Sequence, residues 1–289
     1  MTTAPIFLLP RDAKRLSKRL AATPGNDAAT SRRVATILAD CRRRGARGLI
    51  DWTRRLDGVA LDARTLEVPR KAVEEAAYEI PVSLARDIRF AWGRILSFHK
   101  DFARALPSRI ARQEPGVLSR AIPTPLRRVG IYVPGGSAPL FSTLLMAGAA
   151  ARAAGVGEIA VATPPRRDGT VAPAIRYAAS LVGAKSLYRV GGVQAIAAFA
   201  YGAAPIAPVE KIVGPGNRFV AEAKRQVFGA VGIESVAGPS EVVIVADARA
   251  DADEVAAGLL AQAEHDPDAR AIDDDRVRRA LCRRRRCGA

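Results

Sequence analysis

The stretch of sequence that decides the fold runs from Arg128 to Thr163 and reads RVGIYVPGGSAPLFSTLLMAGAAARAAGVGEIAVAT. Its first apolar run, 129–133, ends in a turn of proline and glycine, and an alanine-rich segment leads to a second apolar run at 158–163. A strand, a crossover helix and a second strand in this order are typical of a parallel βαβ unit. This stretch therefore predicts the centre of a parallel sheet.

The same alternation continues downstream. Short apolar runs predict further strands at three places: 186–190, 211–213 and 241–246. Alanine-rich segments at 142–155 and 171–183 have the length and composition of the intervening helices. Upstream, between Asn26 and about Leu106, apolar residues recur with helical spacing and predict an α-rich front section.

These patterns predict an α/β fold. A helical N-terminal section is followed by a Rossmann-like parallel sheet domain and by the beginning of a second, incomplete α/β domain. The predicted boundaries are 1–126 for the helix-rich section, 127–237 for the Rossmann-like domain, 238–270 for the start of the second domain and 271–289 for an aberrant basic tail.

Composition excludes several classes of protein. Of the 289 residues 49% are hydrophobic, yet no run reaches the roughly 18 to 20 uninterrupted apolar residues of a membrane span, so we expect a cytoplasmic protein without a membrane partner. The formal charge is +16, but basic residues alternate with acids on predicted helices, as in RRLDGVALDAR, so nucleic acid is not an expected partner. Three cysteines without disulfide or zinc-finger spacing fit a reducing compartment.

Glycine-rich turns follow three of the predicted strands: PGGS at 134–137, GGVQ at 191–194 and GPGN at 214–217. In a doubly wound sheet, ligands bind where strands end and helices begin, so a nucleotide phosphate is the expected occupant. None of the turns is a G-x-G-x-x-G fingerprint, and a tight turn that needs positive φ explains any one of them alone. Their succession favours one shared cleft.

Polar side chains accompany these turns. Tyr132, Gln194 and Asn217 are the groups able to stack on a cofactor or form hydrogen bonds with it. Ordinary structural roles stand beside this interpretation, because Tyr132 also suits a core aromatic and Asn217 a helix N-cap.

A second candidate site lies in DEVAAGLLAQAEHDPDA at 253–269. Gln262 and His265 are three apart on a predicted helix, so both side chains leave the same face and are able to meet one ion. The spacing alone is weak evidence, because zinc needs about four donors and a histidine near a helix end also complements the helix dipole. Ser240 precedes a strand, and without a G-x-S-x-G elbow it does not predict a serine hydrolase.

Taken in order, five segments resemble histidinol dehydrogenase from about Ala28 to about Ala269: RVGIYVPGGSAPLFSTLLM, VGGVQAIAAFAYG, KIVGPGNRFVAEAKRQV, ESVAGPSEVVIVAD and LLAQAEHDPDA. The resemblance implies an NAD-dependent, zinc-containing homodimer of histidine biosynthesis. That enzyme oxidises L-histidinol to L-histidine through L-histidinal with two NAD molecules.

The resemblance also implies roles for individual residues. The NAD contacts would be Tyr132, Gln194 and Asn217. The substrate contacts would be Ser240, Gln262 and His265, and the last two would also be zinc ligands.

The resemblance stops after Ala271, where the chain reads IDDDRVRRALCRRRRCGA. In the family a later segment supplies a Glu-His pair for proton transfer and the remaining zinc ligands, so no catalytic residue is assigned here and little turnover is expected from this chain alone. The tail is not expected to supply a buried strand. Its composition fits out-of-frame reading of GC-rich DNA, and a genuine basic tail is the other interpretation.

Two alternatives remain at this point. One is a paralogue of the same family that oxidises another small polar alcohol. The other is a catalytically dead α/β protein that binds a nucleotide or an acidic partner.

Overall fold

A computed structural model describes residues 28–106, 110–135, 140–236, 241–246, 250–263 and 270–273, together with residues 14 and 17. The chain divides into two compact units, one formed by Thr30–Gly238 and the other by Met1–Ala29 with Pro239–Ala289. Within the described ranges, no helix combines the length and the apolar content that crossing a membrane requires.

Helices and strands alternate through the larger unit. Its helices are α1 (Ala28–Arg44), α2 (Ala46–Leu56), α3 (Arg70–Glu74), α4 (Val82–Ala105), α5 (Phe141–Ala153), α6 (Pro173–Leu181), α7 (Gly192–Tyr201) and α8 (Arg218–Val227). The first of them, α1, begins two residues before the unit does. A 3₁₀ turn spans Glu75–Glu79. The strands are β1 (Ile110–Glu114), β2 (Val117–Ala121), β3 (Arg128–Tyr132), β4 (Glu158–Thr163), β5 (Ser186–Arg189), β6 (Lys211–Val213) and β7 (Gly232–Ile233).

Five of these strands form one parallel sheet in the order β5-β4-β3-β6-β7. β3 lies in the middle, so the chain first builds the sheet outward through β4 and β5 and then returns to add β6 and β7 on the other side. This doubly wound topology confirms the predicted α/β fold with a helical front section.

Residues alternate between the two faces of the sheet, as successive side chains of a strand must. On β3, Val129 and Ile131 belong to one core, which α4, α5 and α6 cover, and Tyr132 belongs to the other. The second core contains residues of α1, α2, α7 and α8. Burying one large aliphatic side chain stabilises the folded state by about 1.5 to 3 kcal/mol. The two cores together therefore hold the strands, and with them the strand ends, in place.

The hairpin of β1 and β2 was not predicted. The two strands pair antiparallel across a turn at Pro115 and Gly116, and the side chains of β2 are exposed along its whole length. Because neither face is buried, the sequence shows no alternation of apolar and polar residues that would reveal the strands.

In the smaller unit, β8 (Glu241–Ile244) and β9 (Arg270–Asp273) form a parallel pair, and α9 (Ala252–Ala263) contacts both strands. Arg270 Nη1 lies 2.9 Å from Glu241 Oε1 across the pair. The sequence did not predict a strand at 270–273. Ala271 is exposed and Ile272 half-buried, so β9 is not a buried strand, and backbone pairing next to one aliphatic side chain is enough to form it.

Candidate functional site

The order of the strands reverses between β3 and β6, in the middle of the sheet. After β3 the chain continues to β4 on one side, and after β6 it continues to β7 on the other. From the carboxyl ends of these strands the chain therefore continues to opposite sides of the sheet. Ligands of open α/β sheets bind in the crevice at such a switch point.

Gly214 follows β6 and lies directly against β3. Its φ is 118°, and a Cβ atom placed on it would overlap the backbone carbonyl of Tyr132. A side chain at this position has neither the space nor the backbone conformation it needs. Glycine at 214 thus lets the ends of β3 and β6 approach each other at the switch point.

An ion pair between buried Lys224 and exposed Glu234 fixes the backbone of Gly214. The Lys224 ammonium, 1% exposed, lies 2.6 Å from Glu234 Oε1 and donates to the Gly214 carbonyl at 3.1 Å. The N–H of Gly214 donates to the same Glu234 oxygen at 2.9 Å. Both polar groups of the glycine are therefore held by one charge pair, which orders the turn that enters the crevice.

Asn217 completes this turn as the N-cap of α8. Its Oδ1 accepts hydrogen bonds from the N–H groups of Phe219 and Val220, both at 3.1 Å. The residue is exposed, and the cap uses its side-chain oxygen. The capping role is thus present in the structure, and the amide nitrogen is the group that remains for a ligand.

Asp57, the residue that ends α2, reaches the turn that follows β5. Its Oδ2 accepts from Gln194 Nε2 at 3.0 Å and from the Gly191 N–H at 3.3 Å, across 134 residues of sequence. Burial raises the pKa of Asp57 above the ordinary aspartate value, and the hydrogen bonds from Gly191 and Gln194 oppose this shift. The carboxylate lies at the N-terminus of α7, where the helix dipole favours a negative charge.

Tyr132 meets the same turn from β3. Its side chain is 3% exposed, and its hydroxyl oxygen accepts the Gly192 N–H at 3.1 Å. Burial raises the pKa of the phenol to about 12, and the nearby charge of Asp57 contributes to the rise, so the phenol is neutral at physiological pH. Tyr132 is a core aromatic whose polar end contacts the start of α7.

The N–H groups of Gly191 and Gly192 at the start of α7 are therefore already bonded. The sequence led us to expect a phosphate there, but Asp57 accepts from Gly191 and Tyr132 accepts from Gly192. Gln194 is fully buried, and its Oε1 has no hydrogen-bond partner in the described part of the chain. The turn at 191–194 thus presents a buried unsatisfied acceptor, and its first two backbone donors are already used.

Two of the predicted turns meet at one residue. Pro164 follows β4, and a Cβ atom on Gly135 would lie 3.0 Å from its ring, while one on Gly191 would lie 2.5 Å from it. The turns after β3 and β5 therefore pack closely on both sides of Pro164. Sequence reasoning missed both Pro164 and Asp57, since a proline after a strand and an acid after a helix give no signal for a site.

The second set of predicted site residues lies in the smaller unit. Ser240 and His265 are outside the described residues, and Gln262 is half-buried on α9. Within the described ranges, no three His, Cys, Asp or Glu side chains cluster as metal ligands would.

Comparison with known proteins identifies one family. A sequence model described as histidinol dehydrogenase matches residues 21–274. The histidinol dehydrogenase of Caulobacter vibrioides is 47% identical over 249 residues, which are 86% of this chain and 57% of the relative. That of Chlorobium chlorochromatii is 44% identical over 268 residues, 93% of this chain and 62% of the relative.

A solved structure agrees with the sequence comparison. The crystal structure of histidinol dehydrogenase from Elizabethkingia anophelis matches with a TM-score of 0.81 at 35% identity and covers 93% of this chain. The chain spans 57% to 63% of the length of these three relatives. On this evidence, the chain belongs to the histidinol dehydrogenase family.

Proposed function

We propose that this chain carries the cofactor side of a histidinol dehydrogenase. The enzyme oxidises L-histidinol to L-histidine through L-histidinal with two NAD molecules, in a cytoplasmic, zinc-containing homodimer of histidine biosynthesis. Membership of the family supports this proposal. The observation that carries it is the reversal of strand order between β3 and β6, together with an unsatisfied acceptor at the turn that follows β5.

The residues around the crevice fit NAD. Gln194 Oε1 is a buried acceptor without a partner among the described residues, and a Cβ atom at residue 192 would lie 2.9 Å from it. The Tyr132 hydroxyl uses its oxygen for Gly192 and keeps its hydrogen for an acceptor. Asn217 offers its amide nitrogen from the other side of the switch point. NAD supplies the hydride acceptor when it is bound.

The role of these side chains is to bind and orient. Tyr132 is neutral and buried, so it donates one hydrogen bond in a fixed direction without adding charge to the crevice. Gln194 accepts one hydrogen bond. The closely packed backbone of Gly191 and Gly192 limits the positions that the cofactor takes. Holding reactants in a fixed geometry is a large part of the rate enhancement in hydride transfer.

The zinc site is not assembled by the described residues. Gln262 and His265 are the proposed zinc ligands and, with Ser240, the proposed contacts to L-histidinol. Of these three, the described residues include Gln262 alone, and zinc needs about four donors. We therefore assign no catalytic step to zinc in this chain, and because no general base is identified either, we expect the purified chain to produce little or no NADH from L-histidinol.

A titration tests the proposal. The purified 289-residue chain is titrated with NAD+ by isothermal calorimetry, and we expect saturable binding that Gln194→Leu weakens about tenfold. The matched control is Gln113→Leu, which changes an exposed glutamine of the β1 and β2 hairpin and leaves binding unchanged. A folded chain that gives no binding heat at millimolar NAD+ contradicts the proposed function.

A further inference from the structure

Asp57 controls which atom of Gln194 is left unsatisfied. A carboxylate offers only lone pairs, so the amide must turn its Nε2 hydrogens toward Asp57 Oδ2, 3.0 Å away. The planar amide then places Oε1 on the opposite side of the group. The reverse orientation would bring two oxygens together and leave Gln194 without this hydrogen bond.

The oxygen turned away from Asp57 lies over the start of α7. A Cβ atom on Gly192 would be 2.9 Å from Oε1, so the atom sits beside the glycine whose N–H is bonded to Tyr132. Gln194 is 0% exposed, and Oε1 has no hydrogen-bond partner among the residues that the structure describes. A buried acceptor in this state costs free energy that a bound donor recovers.

Asp57 also determines what the turn rejects. Its carboxylate already accepts the Gly191 N–H at the N-terminus of α7, which is the position an anion would take. A phosphate placed there would face this carboxylate and would find the Gly191 and Gly192 donors already used. The turn therefore suits a neutral group that donates a hydrogen bond.

We propose that Asp57 is a positioning residue, which fixes the Gln194 amide so that Oε1 accepts a hydrogen bond from an uncharged donor of NAD. This inference rests on the proposed function. The donors of NAD that fit are a ribose hydroxyl and the nicotinamide carboxamide N–H. The phosphates of the cofactor lie elsewhere than at the turn of residues 191–194.

Exchange of the two side chains tests the inference. Asp57→Asn frees the Gln194 amide to turn either way, and we expect the Kd for NAD+ to rise about tenfold. Gln194→Glu brings two carboxylates together and is expected to weaken binding at least as much. In the double variant, the new amide at position 57 donates to the new carboxylate at position 194, whose second oxygen is left toward the cofactor. We therefore expect the double variant to return the Kd to within about threefold of the parent value.

Rescue of binding is the decisive outcome. The inference is wrong if the double variant binds NAD+ no better than either single variant. It is also wrong if Asp57→Asn binds NAD+ like the parent chain. Asp101→Asn, an exposed acid on α4, is the matched control and leaves the Kd unchanged. Should Asp57→Asn fail to fold, recovery of folding and binding in the double variant decides the question.

NAD+ and ADP-ribose are two probes that show which group of the cofactor donates the hydrogen bond to Gln194. Binding of NAD+ by the parent chain separates the proposed function from the positioning role of Asp57. ADP-ribose keeps the ribose hydroxyls of NAD but lacks its nicotinamide. An Asp57→Asn penalty that persists with ADP-ribose assigns a ribose hydroxyl, and a penalty seen with NAD+ alone assigns the carboxamide. Failure of the parent chain to bind NAD+ removes the proposed function, whereas parent binding that Asp57→Asn does not change removes this inference alone.

Discussion

The ammonium of Lys224 lies 2.6 Å from Glu234 Oε1, and together the two side chains hold both polar groups of Gly214 at the centre of the sheet. Lys224 is 1% exposed and comes from α8, while Glu234 follows β7. The pair thus connects the last helix and the last strand of the sheet to the turn that borders the crevice.

Replacing Lys224 by methionine removes the donor to the buried Gly214 carbonyl and the counter-charge of Glu234. We expect the free energy of unfolding of the larger unit to fall by about 1 to 2 kcal/mol, because the carbonyl is left unsatisfied whereas Glu234 stays in contact with solvent. Urea unfolding followed by tryptophan fluorescence measures it, because Trp52 and Trp92 both lie in that unit. The control is Lys71→Met, which removes an exposed pair with Glu75 at 3.8 Å, and equal losses in the two variants would refute the role given to Lys224.

Gly214 is predicted to tolerate no side chain. Gly214→Ala places a Cβ against the Tyr132 carbonyl at a φ of 118°, so we expect a loss of at least about 2 kcal/mol in unfolding free energy and weaker NAD+ binding. Gly93→Ala is the matched control, because Gly93 is exposed within α4 and a Cβ there meets no atom within 4 Å. That change should stabilise the helix by about 0.5 to 1 kcal/mol. Equal stability of the two variants contradicts the packing described at the switch point.

Glu222 gives the larger unit a dependence on pH. It is fully buried on α8, and hydrogen bonds from Arg225, Gln226 and Ser31 lower its pKa from the ordinary 4.5 to about 2. A folded-state pKa below the unfolded value means that the stabilisation is complete above pH 4.5 and is lost as the pH falls from 4.5 to 2.

Glu222→Gln is the test of this contribution. We expect it to cost about 1 to 3 kcal/mol at pH 6, and the difference from the parent chain should shrink steadily between about pH 4.5 and about pH 3. Glu75→Gln, at an exposed carboxylate, is the control and should have little effect at the higher pH. A Glu222→Gln penalty of constant size across this range would show that the carboxylate charge is not what stabilises this contact.

Tyr132→Phe removes the acceptor of the Gly192 N–H and keeps the aromatic ring in the core. The expected loss is about 1 kcal/mol of unfolding free energy together with a several-fold rise in the Kd for NAD+. Tyr78→Phe, at a residue that is 90% exposed, serves as the control and should change neither quantity. A Tyr132→Phe chain with parent affinity would remove the hydroxyl from the proposed NAD contacts.

The sequence predicted the sheet well because its strands are apolar runs bounded by glycine and proline. β4 and β6 agree with their predicted ranges at both ends, β3 is shifted by one residue, and β5 ends one residue early. The two-residue β7 and the exposed β1 and β2 hairpin were missed, since neither buries a face that would impose a pattern.

Long-range polar contacts set the limit of sequence reasoning at the site. Tyr132 and Gln194 were selected from the strand ends, and the structure places both against the turn of Gly191 and Gly192. Asp57 was not selected, because it joins Gln194 across 137 residues and looks like one more acid on a charged helix. The composition of that helix contains no signal for this contact.

Hydrogen exchange of the chain with and without saturating NAD+ tests the central claim most directly, because it reports where the cofactor binds. We predict slower exchange for the amides of 191–196 and 214–220, on both sides of the switch point, and unchanged exchange in the exposed hairpin at 110–121. Protection confined to other segments, or none at all despite bound NAD+, would contradict the placement of the cofactor between β3 and β6.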